Sequence, residues 1–202
     1  MPPARLALPR VVLLLLAVAG ACTACTTARV TATQRSSIEQ RLLVRSLERA
    51  AARLDLAPLI GQRVKIDLFT LTNDGFFARE FLRARLEGRG LRFAGPGDEA
   101  DVTIQVFAAA LAVDTADTLV GLPAMQAPIL AVPIPEIALF KLERSRGHAE
   151  MQTYTYDSGG HLIRRLGDAR GEARYNRITL LIFISFAVTD IDDPPVEQTG
   201  ER

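Results

Sequence analysis

The chain has 202 residues, 49% of them apolar and 6% aromatic, with 24 basic against 23 acidic side chains. That length makes one domain and at most a short extra segment. The balanced charge supplies no field to gather nucleic acid, and the apolar content is far from that of a disordered chain.

The first twenty-five residues have the order of a secretory signal. Arg5 and Arg10 give a positive start, residues 11–19 are an unbroken apolar run, and Gly20, Ala21 and Cys22 follow with small side chains. As a helix the run rises only about 13 Å, against a hydrocarbon core of about 30 Å. Val18-Ala19-Gly20-Ala21-Cys22 resembles the lipobox of bacterial lipoproteins. In that family the Cys thiol carries a diacylglycerol, the chain is cut just before it, and the new amino group is acylated. The resemblance implies a signal peptide over residues 1–21 and lipid attachment at Cys22. Ala19 departs from the Leu that is commonest at its position, and Cys25 is a competing site. Read instead as a redox C-x-x-C pair, Cys22 and Cys25 would open a helix after a strand, whereas they follow a signal-like apolar run. Loss of residues 1–21 removes two arginines and no acids, so the formal charge moves from +1 to −1.

Residues 26–35, with four Thr among them and no periodicity, complete a lipid-anchored tether over 22–35. A single domain is expected over 36–191. Ser36 with Glu39, and Ser37 with Gln40, read as capping boxes ahead of a helix to about Leu54. At 100° per residue, Leu43, Val44, Leu47, Ala50, Ala51 and Leu54 share a core face. Arg41, Arg45, Arg49 and Arg53 form an i, i+4 ladder opposite it. The ladder reads as a solvated face or as a contact for anionic headgroups, with Ile38 and Leu42 beside it as partial inserters.

Residues 63–71 suit a strand, and Asn73-Asp74-Gly75 stops it and opens a second helix over 76–87, ended by Gly88 and Gly90. Phe77, Ala78, Phe81, Leu82 and Ala84 cover its inner half. Arg85 projects among them and needs a carboxylate or an escape to solvent, because an unpaired buried charge costs several kcal/mol. Short strands are expected at 91–93, 101–113, 137–143, 149–156, 161–166 and 177–189, with Gly147 and Ser158-Gly159-Gly160 as hairpin turns. The apolar run 178–188 reads as a central strand buried on both faces. The fold class is therefore α+β, two helices packed on one face of a mainly antiparallel sheet in a two-layer sandwich. Residues 192–202 read as a disordered tail.

Segment 118–135 breaks local rules: eighteen residues without a charge, four of them proline. Prolines this dense exclude a regular helix or a central strand, yet the side chains are too apolar for an ordinary loop. It is the candidate docking surface, carried by Leu119, Val120, Leu122, Pro123, Met125, Pro128, Ile129 and Pro133. The bland reading has it cap an open end of the sheet.

Candidate chemistry is thin. His148 and His161 sit beside glycines at expected turns without a ligand cluster, and neither the acidic run Asp190, Asp192, Asp193 nor Asp114 with Asp117 forms a complete Ca²⁺ loop. There is no phosphate-binding loop or nucleophile elbow, so no catalytic residue, metal or cofactor is expected. The whole resembles the small envelope lipoproteins of Gram-negative bacteria, among them accessory proteins of lipopolysaccharide assembly and of secretion channels. That resemblance implies a non-enzymatic protein on the periplasmic face of the outer membrane. Thr23, after the cysteine where Asp would signal retention in the inner membrane, points the same way. The expected role is a scaffold or accessory subunit with an envelope partner and no nucleic acid; the alternative is a carrier of a lipid or other apolar ligand, with Phe77 and Phe81 lining its cavity.

Overall fold

A computed structural model describes residues 35–95, 97–126 and 133–193. The signal-like segment, Cys22, the tether up to residue 34, Pro128, Ile129 and residues 194–202 lie outside the described residues. Within them the elements run α1 (Ser37–Ala52), a 3-10 turn (Ala57–Leu59), β1 (Arg63–Thr70), α2 (Gly75–Gly88), β2 (Arg92–Phe93), β3 (Val102–Leu122), β4 (Met125–Gln126), β5 (Pro133–Ile134), β6 (Ile137–Asp157), β7 (Leu162–Leu180) and β8 (Ile184–Thr189). The two helices pack on a six-strand, strongly curled sheet, the expected α+β two-layer arrangement. Its order is β2-β1-β3-β6-β7-β8, with β4 and β5 pairing separately. The joins β2–β1 and β1–β3 are parallel and the other three antiparallel, so the sheet is mixed.

Helix α1 begins as its sequence dictates. The Ser36 hydroxyl accepts from the Glu39 amide, and the Glu39 carboxylate accepts from the Ser36 amide, the reciprocal arrangement that satisfies two otherwise unpaired donors. Leu43, Leu47, Ala50 and Ala51 are buried as their spacing requires, but Val44 is only partly covered. Leu42, expected beside the arginines, is fully buried and packs with Ala173 and Ile191.

Two strand glycines explain this close seating. A Cβ at Gly147 would lie 2.5 Å from the Leu42 carbonyl oxygen, and one at Gly171 would lie 1.9 Å from the Ser46 carbonyl oxygen. Gly147 pairs across the sheet with Ala173, and Ala149 with Gly171. Four small residues thus form the floor on which the helix backbone rests. The expectation that Gly147 marks a turn is therefore overturned, and β6 runs unbroken through it. His148, expected at that turn, lies mid-strand.

The arginine ladder is solvated at its two ends, Arg41 and Arg53 being exposed and Arg45 and Arg49 half-buried, but each member is engaged by the protein itself. Arg41 pairs with Asp192 at 2.5 Å, Arg45 donates to the Ile191 carbonyl at 2.6 Å, and Arg49 reaches the Asp190 carbonyl at 2.6 Å and its carboxylate at 3.1 Å. Arg53 donates to the Arg170 carbonyl at 2.6 Å. The acidic run that was a weak Ca²⁺ candidate is the ladder's counterpart, and it straps the end of the sheet to the first helix.

Helix α2 buries Ala78, Leu82 and Leu86 over Val64, Ile104 and Val106. Phe77 and Ala84, expected on its inner half, are exposed, and Phe77 stacks on Phe81 with ring centroids 5.8 Å apart. The buried stripe is one turn longer and narrower than the wheel suggested. Arg85 consequently lies at the flank, pairs with Glu48 and sits over the Phe81 ring at 5.2 Å.

Candidate functional site

Strand β1 ends at Thr70, opposite Ala108, whereas β3 continues to Leu122. Beyond Val113, which pairs with the Gly147 beneath α1, four strands, β3-β6-β7-β8, project past the helices as an antiparallel extension of the sheet. This overturns the reading of residues 118–135 as a strand-free loop: Leu119, Val120 and Leu122 lie on β3, paired with Lys141, Phe140 and Ile137. Pro123 follows the last paired residue, where its missing N–H costs no ladder bond. Met125 and Pro133 belong to the short β4–β5 pair at the tip.

The run 178–188 is likewise not a central buried strand. It folds back on itself, Leu180 pairing with Ile184 across the three-residue turn Leu181, Ile182 and Phe183. Leu181 and Ile182 have φ of 49° and 74°, left-handed values that favour Gly or Asn, and their amides donate to the Leu139 and Ala138 carbonyls at 3.0 and 2.9 Å. Strand β8 is therefore an edge, and every one of its side chains is exposed.

Register sorts the extension into two chemically distinct faces, because side chains alternate along a strand. On the face opposite the helices lie the rows Val120, Phe140, Leu180, Ile184 and Thr118, Leu142, Ile178, Phe186, then Ala116, Arg144, Asn176, Val188. Arg144 is in that last row, and Arg146 and Arg174 share the next one below. The apolar rows thus end at an arginine belt.

On the helix-side face the rows are Leu119, Lys141, Thr179, Ser185 and Asp117, Glu143, Arg177, Ala187. Lys141 bridges Glu136 at 3.0 Å and Glu143 at 3.4 Å, and the Glu136 carboxylate holds its ammonium above the usual lysine range. Thr179 and Ser185 hydroxyls are 2.9 Å apart. The turn adds Leu181, Ile182 and, 79% exposed, Phe183. One face and the tip are suited to an apolar environment and the other to water.

Among the candidate residues, Val120, Leu122 and Met125 are exposed and Leu119 half-buried on the polar face. The β7–β8 hairpin supplies as much of the apolar surface, and its run 178–188 stands out in the sequence, though as a buried central strand. Its signal was present in the composition of 178–188, which was read as burial instead of as an apolar face.

The remaining candidates stand elsewhere. His148 lies 3.5 Å from Asp114, and His161 is in the β6–β7 turn, its amide donating to Asp157 at 2.8 Å. That bond is the main cause holding the Asp157 carboxyl below the usual range. The chain matches no protein-family model and no curated protein. Among the described residues no helix is long and apolar enough to cross a membrane.

Proposed function

We propose that this chain is a lipid-anchored protein of the bacterial envelope, held through Cys22 on the periplasmic face of the outer membrane. It acts without catalysis, as a scaffold or accessory subunit in envelope assembly or transport. The observation that carries the reading is the extension of β3, β6, β7 and β8: an exposed apolar face, uncharged until the row of Arg144, and an apolar tip, of which Val120, Ile182, Phe183 and Val188 are each more than half exposed. A contiguous apolar surface of this kind is suited to a partner or a bilayer and poorly suited to water. The carrier reading finds less support, since Phe77, which would line its cavity, lies on the surface.

The test has two arms. Cys22→Ser should give unprocessed precursor, and a mature chain that begins elsewhere without acyl groups, seen by intact-mass spectrometry, would overturn the anchor. Replacing Val120 and Leu122 by Ser should leave the melting temperature nearly unchanged while abolishing co-purification of partners from detergent-solubilised membranes. A large loss of stability with association retained by the folded fraction would reduce the extension to a structural cap.

A further inference from the structure

We infer that the occupant of the extension is further copies of this chain, with β8 of one protomer pairing edge to edge with β3 of the next. The inference rests on the membrane reading above and says how the extension meets that membrane. Four observations lead to it.

The first is that both edges of the extension are open. Among the described residues, no strand pairs with the outer side of β3 beyond Ala108 or with the outer side of β8. The second is that β8, Ile184-Ser-Phe-Ala-Val-Thr189, carries neither charge nor proline. Edge strands that stay unpaired are normally blunted by one or the other, and a bare apolar edge is a template for pairing.

The third is direction. Counting β3, β6, β7 and β8 through three antiparallel joins makes β8 antiparallel to β3. A head-to-tail joint therefore continues the ladder, keeps the apolar rows on one face and leaves every helical layer at the same end. A β8–β8 joint about a two-fold axis perpendicular to the sheet would instead put the helical layers at opposite ends, which two anchors in one membrane forbid. Head-to-tail contacts generate rings when the rotation closes. Closure is what a sheet needs in hydrocarbon, where unpaired edge amides are not tolerated.

The fourth is charge and length. In the register that continues the rows, Asp117 of the next copy follows Ala187, whose methyl group leaves Arg177 room to reach it; Asp117 has no ion-pair partner among the described residues. Residues 116–122 of β3 and 176–180 of β7 are seven and five, shorter than the roughly 9–11 of a tilted transmembrane strand, and the β4–β5 pair and the turn 181–183 carry each hairpin beyond its ladder. The alternation of apolar-out and polar-in rows is that of such barrels. Because the helices lie on the polar side, and an eight-stranded ring is filled by its own side chains, the ring holds more than two copies.

The test uses the full chain with its own leader, in a Cys25→Ser background. Ala116→Cys is combined with Val188→Cys, and Thr118→Cys with Phe186→Cys. Within one chain these positions are three strands, about 14 Å, apart and cannot bridge. After oxidation in membranes, a double variant should give a non-reducing ladder of dimer, trimer and larger bands, whereas each single variant gives at most a dimer. The unmodified chain in mild detergent should sediment as a species larger than a dimer. A monomer in sedimentation, or maleimide-reactive thiols with no band above dimer in either pair, would overturn the inference. A monomer that is acylated and fractionates with the outer membrane leaves the proposed function standing. A ladder from an unacylated chain in the soluble fraction leaves edge pairing standing and removes the membrane reading.

Discussion

Glu48 is the residue on which two parts of the protein meet. Its side chain is only 10% exposed, it accepts from Arg45 at 2.6 Å, and it pairs with Arg85 from the other helix. Removing Arg85 takes away one of two cations from a nearly buried carboxylate and uncovers the Phe81 ring, whereas Arg83 pairs with the half-exposed Glu87 and lies over the Phe93 ring, with no buried charge depending on it. Arg85→Ala should therefore cost about 1 kcal/mol in urea denaturation and Arg83→Ala no more than about 0.5 kcal/mol. Equal midpoints would show that Arg45 alone satisfies Glu48. That Arg85 needs a carboxylate was legible in the sequence. Its identity was not, because Glu48 lies in a different helix and only the packing of α2 against α1 brings the two together.

At the scale of elements, the helices were legible to within one or two residues, since capping groups and 3.6-residue periodicity are local signals. The first two strands, β1 and β2, were legible to within a residue, but the long strands were not. Gly147 and Gly171 carry the composition of turns but serve as the floor beneath a helix, and a contact between residues more than a hundred positions apart leaves no local mark. The reverse error occurred at 181–183, where a real turn is made of Leu, Ile and Phe without Gly or Asn. A β-branched residue at φ 74° is strained by an amount of order 1–3 kcal/mol. Leu181→Asn with Ile182→Gly should thus raise the unfolding free energy by about 1 kcal/mol in chemical denaturation, and lower association with membranes. A variant that is less stable would mean that the tip side chains pack on the protein itself. Sequences that accept strain to keep an apolar tip place function above stability at that point.

Over the whole molecule, the two ends of the described chain close on each other. Ile191 is 4% exposed against Leu42, and Asp190 and Asp192 hold Arg49 and Arg41. Ending the chain at Thr189 should cost about 3 kcal/mol, mostly the burial of Ile191 with the loss of these pairs, and should speed amide exchange in α1 more than in α2. Unchanged exchange in α1 would show that its glycine floor suffices. That floor also sets an order of events. A chain emerging N-terminus first presents α1 at once, with Leu42, Leu43 and Leu47 uncovered, but the residues it rests on lie near positions 147 and 171 and its strap near 191. Contacts so distant in sequence form late. Throughout that interval α1 is an amphipathic helix with only α2 to pack against, so part of its apolar face stays uncovered until the final strand has arrived.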